Sequence, residues 1–206
     1  AVVHPCDKTS LEGALEARDH GVLAPILVGP EARIRNVALE HEIDLAGLKI
    51  VDAPHSHAAA EAAVDLVRTG EVRALMKGAL HTDEIMSAVV SKTGGLRTER
   101  RMSHVYVMDV PTYPKPLIIT DAAINITPDL ETKADIIQNA IDLARAIGID
   151  VPKVAILSAV ETVNARMQST IEAAALCKMA DRGQITDGLL DGPLAFDNAI
   201  SMRAVA

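Results

Sequence analysis

The chain has 206 residues, enough for one large domain or two small ones, and 49% of them are hydrophobic, so a sizeable core can form. Aromatic residues make up only 1% and the net charge is −8. This composition excludes the stacking platforms of single-stranded nucleic-acid binders and disfavours contact with phosphate backbones. No apolar run approaches the ~20 residues of a membrane span, and no signal-peptide pattern opens the chain. The two cysteines, Cys6 and Cys177, are far apart and fit free thiols, so we expect a cytoplasmic protein.

Short apolar runs that alternate with periodic, capped segments predict an alternation of strands and helices. The predicted strands, in chain order, cover 1–4, 26–29, 48–52, 74–76, 105–110, 116–121, 153–158 and 188–193. The predicted helices cover 11–19, a segment opened by Pro30, an alanine-rich segment that ends near Gly70, a segment capped by Thr82 or Asp83, 131–147, 170–180 and a segment that starts at 198. Ser10 is the expected cap of the first helix.

This alternation predicts an α/β fold with a mostly parallel sheet that helices cover on both faces. The runs 105–110 and 116–121 are the exception, because five residues are too few for a crossover helix and predict an antiparallel hairpin. The pattern restarts after Gly148, which places a first domain at 1–148 and a second at 149–206. Since the second domain would have only two strands, we expect it to be incomplete at its C-terminus. We also expect residues upstream of Ala1.

The sharpest candidate site is the turn that contains Lys77, Gly78, His81 and Thr82. It joins a buried strand to a helix N-terminus, where free N–H groups and the helix dipole favour an anion. Lysine adds a positive charge, glycine allows close approach of the backbone, and histidine can donate a hydrogen bond. A plain strand-to-helix turn with exposed Lys77 and His81 explains the same residues equally well.

Other candidates follow later strands or lie in loops. Arg97 could bind phosphate with its guanidinium group, or belong to a solvated basic loop. Ser158 and Thr162 could hydrogen bond phosphate oxygens, or serve as ordinary turn residues. Asp191 and Asp197 could position or deprotonate a substrate thiol, or cap turns.

The histidines and cysteines do not form a recognised metal pattern. His4, His55 and His57 lack the spacing of a strong metal site, so we expect no bound metal. Cys6 follows the first strand, but without an identifiable base it is interpreted as an idle thiol. Neither a dinucleotide fingerprint nor a P-loop is present.

Six motifs, in order along the whole chain, resemble the phosphate acetyltransferase/phosphate butyryltransferase family. They are Val2–Asp7, Lys77–Thr82, Gly95–Arg97 with Ser103–His104, Asp121–Asn125 with Pro128, Val154–Ser158 and Asp191–Ala199. The strongest likeness is to the transferase part of bifunctional enoyl-CoA hydratase/phosphate acetyltransferase proteins, whose hydratase domain would precede this chain.

The resemblance implies a transferase reaction in which acyl-CoA and phosphate give acyl phosphate and CoA, with CoA, phosphate and acyl phosphate as small-molecule substrates. It implies a three-layer α/β/α fold with two domains and a cleft, related to isocitrate and isopropylmalate dehydrogenases, and a homodimer. No metal or redox cofactor, nucleic acid or membrane is implied. The site-lining residues carried over are Lys77, Gly78, His81, Thr82, Ser158, Asp191 and Asp197. Arg97 and Thr162 are added on chemical grounds.

The family continues beyond the end of this chain with a Ser-Arg pair and an Asp that supply the principal catalytic groups. The catalytic residues are therefore unknown here. Some relatives have serine in place of Lys77, which argues against an obligatory role for this lysine. Two alternatives stay open: a metal- and NAD-dependent dehydrogenase of the same fold, and a truncated, non-catalytic domain that binds CoA or an anion.

Overall fold

The computed structural model describes residues 1–201, in which eight strands and seven helices follow one another. The strands are β1 (Val2–Val3), β2 (Ile26–Gly29), β3 (Lys49–Asp52), β4 (Met76–Lys77), β5 (Val105–Met108), β6 (Leu117–Thr120), β7 (Lys153–Leu157) and β8 (Leu189–Leu194). The helices are α1 (Lys8–Asp19), α2 (Glu31–Glu40), α3 (Ser56–Arg68), α4 (Thr82–Val89), α5 (Leu130–Ala146), α6 (Gln168–Asp181) and α7 (Phe196–Ile200). The α/β class is confirmed. The helix predicted from 198 onward extends outside the described residues.

The chain forms two compact units, Ala1–Thr98 and Glu99–Ala206, here called unit 1 and unit 2. This division differs from the predicted domains 1–148 and 149–206. The reason lies in α5, whose apolar residues Ile137 and Ile141 share a core with residues of α6 and β7. The hairpin and α5 therefore belong with the later strands, although the sequence pattern restarts only after α5 has ended.

Unit 1 is built on a four-stranded parallel sheet with the order β3-β2-β1-β4. The first strand lies in the middle: Val3 is level with Val28 of β2 on one side and with Lys77 of β4 on the other. Both side chains of β1 are buried, as expected for a parallel strand with helices on both faces.

Alternate residues of the strands of unit 1 build two separate cores. Val2 and Leu27 pack with Leu11 of α1 and Ile34 of α2 on one face. On the other face, Val3 and Val28 pack against the alanine-rich surface of α3 and against Ile85 of α4. Unit 1 thus has helices on both faces of its sheet, and small alanines allow α3 to lie close to the strands.

Unit 2 contains an antiparallel hairpin and a parallel strand pair. The predicted hairpin is confirmed, with Val105 opposite Thr120 and Met108 opposite Leu117. Strands β7 and β8 run parallel, and α5 and α6 pack on one side of them around Ile141 and Leu176.

Two helix caps differ from the predictions. Asp7, not Ser10, precedes α1 and accepts a hydrogen bond from the Ser10 amide (2.8 Å). His81, not Thr82 or Asp83, occupies the cap position of α4. In residues 1–201 no helix has both the length and the apolarity needed to span a bilayer.

Candidate functional site

The carboxyl ends of the four strands of unit 1 lie at one edge of the sheet, because all four run parallel. Each of the four strands is followed by a helix after a segment of at most four residues. Hydrogen bonds join neighbouring strand ends to one another. Asp52, the last residue of β3, accepts a hydrogen bond from the Glu31 amide at the start of α2 (2.9 Å). The Ala53 amide donates to the Gly29 carbonyl (3.1 Å). Such an edge is the usual place for a ligand in a parallel α/β sheet.

The β4–α4 turn, residues Lys77–Thr82, is fixed against the end of β1. The Gly78 amide donates to the Val3 carbonyl and the Ala79 amide to the His4 carbonyl, each at 2.9 Å. A Cβ atom on residue 78 would lie 2.6 Å from the Val3 carbonyl oxygen, a distance that only glycine avoids. The glycine therefore permits close approach of two backbone segments, rather than of backbone and ligand as the sequence analysis suggested.

Glu84, near the N-terminus of α4, also fixes the β4–α4 turn, through contacts to α3 and to His81. Its Oε2 accepts a hydrogen bond from the His81 amide (2.7 Å), and its Oε1 accepts from the Ser56 hydroxyl of α3. The His57 ring lies 3.1 Å from Oε1. The bonds from Ser56 and His81 lower the pKa of this carboxyl group. The N-termini of α3 and α4 are thus held together by one carboxylate.

The turn offers groups that can hold an anion. Lys77 is exposed, and the amides of Thr82 and Asp83 make no hydrogen bond to any residue in 1–201. The side chains of Asp83 and Glu84 oppose an anion at the same helix N-terminus, although Glu84 is already engaged by donors. The positive potential at this turn therefore comes from the Lys77 cation more than from the helix dipole.

Arg97, the other predicted cation of unit 1, follows the segment after α4. The amide of the preceding Leu96 donates to the Val89 carbonyl (2.7 Å), which turns the chain back along the helix end. Arg97 is exposed and no hydrogen bond joins it to the β4–α4 turn within residues 1–201. The structure therefore does not group it with Lys77.

The predicted residues of unit 2 gather in part at the carboxyl end of the β7–β8 pair. The Ser158 amide donates to the Leu194 carbonyl (2.8 Å), and its hydroxyl lies 2.8 Å from that of Ser169 in α6. Thr162 is exposed in the loop that follows and has no hydrogen-bond partner among residues 1–201. Ser158 is half-buried and oriented by its neighbours, whereas Thr162 is not.

Asp191 and Asp197 occupy different places. Asp191 lies within β8 with an exposed side chain that accepts a hydrogen bond from the Gly192 amide (2.9 Å). Asp197 is exposed in the first turn of α7, beside Asn198, which donates to Glu161 of the β7–α6 loop (2.7 Å). Only Asp197 is therefore near the strand ends where Ser158 lies.

His55 and His57 are used in structure, and the thiols of both cysteines are partly buried. His55 accepts a hydrogen bond from the Ala58 amide at the start of α3 (3.2 Å), and His57 faces Glu84. Burial raises the pKa of both cysteine thiols, Cys6 and Cys177. In the part of the chain that is described, no three His, Cys, Asp or Glu side chains come together as a metal site would require.

Sequence reasoning missed Glu84 and Ser169, which orient the predicted residues. A signal for Glu84 was present, since an acidic residue three positions after a helix cap is the capping-box pattern. Ser169 carries no comparable signal, because its partner Ser158 is reached only through the packing of α6 against the strands.

Nearly the whole chain is similar to proteins named as phosphate acetyltransferases or phosphate butyryltransferases. A family described as "Phosphate acetyl/butaryl transferase" matches residues 55–206. A phosphate acetyltransferase of Rhizobium meliloti is 66% identical over 98% of this chain and 64% of that protein. A phosphate butyryltransferase of Clostridium acetobutylicum is 43% identical over 99% of this chain and 68% of that protein.

A solved structure has a similar fold. The crystal structure of a branched-chain phosphotransacylase from Enterococcus faecalis V583 aligns with a TM-score of 0.80 and 27% identity over 100% of this chain and 71% of that one. The chain thus spans 64% of the length of the Rhizobium protein, which is less than two thirds. It spans 68% of the Clostridium protein and 71% of the Enterococcus chain.

Proposed function

Because this chain belongs to the phosphate acetyl/butyryl transferase family, we propose that it is part of an enzyme that moves an acetyl or short acyl group between coenzyme A and inorganic phosphate. The observation that carries the proposal is the 66% identity to a phosphate acetyltransferase across nearly the whole chain. The family assignment does not favour the dehydrogenase alternative. Relatives named for acetyl and for butyryl transfer both match, so the proposal covers short acyl groups as a class.

The reaction needs an anion site and a route for one proton. In the direction of acyl phosphate synthesis, an oxygen of hydrogen phosphate forms a bond to the acyl carbon and the C–S bond breaks. The CoA sulfur leaves as a thiolate and takes up the proton that the phosphate loses. Lys77 and the free amides of Thr82 and Asp83 supply positive potential for a phosphate group. In unit 2, Ser158, oriented by Ser169, offers a hydroxyl group that can hydrogen bond a substrate oxygen.

We further propose that the protein works with these substrates alone, without a metal or redox cofactor. In this proposal it is a cytoplasmic homodimer with the two-domain, dehydrogenase-related architecture that the resemblance implies. His81, Thr82, Arg97, Thr162, Asp191 and Asp197 are proposed as additional lining residues. A preceding hydratase domain stays a prediction.

An acyl-transfer assay with the whole natural protein tests the function. Acetyl-CoA and butyryl-CoA are incubated with phosphate, free thiol is followed with a disulfide reagent, and acyl phosphate is trapped with hydroxylamine. We expect thiol release that requires phosphate and equals the acyl phosphate formed. Thiol release without phosphate would indicate a thioesterase instead, and the absence of turnover with both substrates would refute the proposal.

The Lys77→Met substitution is expected to raise the KM for phosphate about tenfold, with a smaller effect on kcat, because a hydrogen bond to a charged group contributes roughly 1.5–3 kcal/mol. Initial rates at varied phosphate measure both constants. Lys49→Met is the matched control, since Lys49 begins β3 at the opposite edge of the sheet and pairs with Glu71. Equal phosphate KM values for the two variants would remove Lys77 from the site.

A further inference from the structure

His4 is the residue that joins β1 to the carboxyl edge of the sheet, and its environment is unusual. The residue is only 6% exposed. Its φ angle is +53°, in the left-handed region that side-chain-bearing residues rarely adopt. Strained backbone of this kind persists where the surrounding structure imposes it, and it is concentrated at functional sites.

The imidazole ring is held between the ends of the two neighbouring strands. On the β4 side, Nδ1 lies 2.6 Å from the carbonyl oxygen of Ala79, so this nitrogen carries the proton and donates. On the β2 side, the ring lies against Gly29: a Cβ atom there would be 3.7 Å from the ring carbon Cδ2 and 3.2 Å from the His4 Cα. The ring orientation and tautomer are therefore both fixed.

The other ring nitrogen, Nε2, is not used by the fold. It has no hydrogen-bond partner among residues 1–201, yet it is not one of the buried side-chain atoms left without a partner, so it reaches solvent. A residue that is more than nine-tenths buried thus leaves one polar side-chain atom accessible at the end of β1. His4 lies beside Gly78, the residue after Lys77, since a Cβ atom on Gly78 would be 2.8 Å from the His4 carbonyl oxygen.

We infer that His4 is a further ligand-binding residue, whose Nε2 hydrogen bonds a phosphate oxygen of the ligand held at the β4–α4 turn; the identity of that ligand rests on the proposed function. The ring suits phosphate in either protonation state. The imidazolium donates from Nδ1 to Ala79 and from Nε2 to a phosphate oxygen. The neutral ring keeps the bond to Ala79 and accepts a hydrogen bond from the P–O–H group of hydrogen phosphate.

The His4→Asn substitution tests the inference with little risk to folding. Asparagine tolerates positive φ and can donate to the Ala79 carbonyl, but it has no atom in the place of Nε2. We expect the phosphate KM to rise about tenfold, as for the loss of one hydrogen bond to an anion, with a melting temperature within a few degrees of the parent protein. His4→Gly, in which the positive φ angle carries no strain, is the second variant. His41→Asn, at the exposed end of α2, is the matched control.

A direct readout comes from NMR of the whole protein labelled with ¹⁵N-histidine, in which the His4 signals are identified by their loss in His4→Asn. We expect a protonated Nδ1, and a shift of the Nε2 signal when inorganic phosphate or CoA is added. A shift with inorganic phosphate places the reacting phosphate at His4, whereas a shift with CoA that is absent with dephospho-CoA places the CoA 3′-phosphate there. An Nε2 signal that stays unchanged with both ligands would overturn the inference, and so would KM values for phosphate and for CoA in His4→Asn that both equal those of the parent protein. If the protein shows no acyl transfer but the phosphate shift persists, the proposed function fails and the binding role of His4 stands.

Discussion

The Gly78→Ala substitution is expected to lower the free energy of unfolding of unit 1 by about 3 kcal/mol, the upper part of the range for overpacking in a closely packed site. The added methyl group would lie 2.6 Å from the Val3 carbonyl oxygen, 2.8 Å from that of His4 and 2.9 Å from the His4 carbonyl carbon. All three are backbone atoms, so no rotamer change relieves the contact. The β4–α4 turn must move away from β1, which also breaks the two hydrogen bonds from the amides of Gly78 and Ala79.

Urea unfolding, monitored by circular dichroism, measures this loss of free energy. The phosphate KM of the same variant is also measured. Gly13→Ala is the matched control in the same unit. Gly13 lies within α1, where a Cβ would meet only the end of the Met76 side chain at 3.5 Å. Because alanine is the better helix former, the control should be neutral or stabilising by about 0.5–1 kcal/mol. A stable Gly78→Ala protein would show that the turn does not approach β1 as described.

The Asp121→Ala substitution is expected to lower the free energy of unfolding by about 2–3 kcal/mol, because it leaves several backbone donors without a partner. Oδ1 of Asp121 accepts hydrogen bonds from the amides of His104, Ala123 and Ile124, each at 3.1 Å. Oδ2 accepts from the Asn125 amide at 2.9 Å and from the Asn125 side chain. One carboxylate therefore shapes the loop after β6 and fixes the start of β5.

The charge of the same carboxylate is expected to make the free energy of unfolding depend on pH. Burial works against its charged form, but the hydrogen bonds from Ile124, Ala123 and Asn125 prevail and lower the pKa of Asp121 well below its usual value. A group whose pKa is lower in the folded state stabilises that state fully above the usual aspartate pKa of ~3.9, and this contribution is lost as the pH falls through the lower, folded-state pKa. The stability difference between parent and Asp121→Ala should accordingly be constant near neutral pH and shrink in acid.

The free energy of unfolding of the parent protein and of Asp121→Ala, measured at a series of pH values from neutral to acidic, tests this pH dependence. Asp109→Ala, an exposed residue just beyond β5, is the control and should change stability by no more than about 0.5 kcal/mol. A difference that stays constant down to strongly acidic pH would mean that Asp121 is not charged in the folded protein.

Much of the fold could be predicted because its signals are local. The apolar runs at Val2–Val3 and Ile26–Gly29 locate strands, and the short gap before Leu117 identifies the hairpin. The strand order could not be read in this way, since it depends on which distant segments pair. The boundary of the units was missed for a related reason: the apolar face of α5 identifies a helix, but not the partners Leu176 and Ile185 that hold it in unit 2.

The candidate site was predictable to a smaller extent. The residue types at Lys77, His81 and Thr82 indicate an anion site, and the structure places them in one turn at the expected sheet edge. What the sequence could not indicate are contacts across long separations. The bond from His4 to Ala79 and the bond from Ser56 to Glu84 each join segments that have no shared local pattern.

The central place of β1 bears on how the chain folds while it is being made. Val2 pairs with Met76, and at ~5–20 residues per second roughly 4–15 s of translation separate the two residues. During that interval one edge of β1 carries unpaired N–H and C=O groups, open to mispairing with other chains. Unit 1 can complete its sheet only when β4 arrives, so a chain that stalls before residue 76 exposes its middle strand to aggregation.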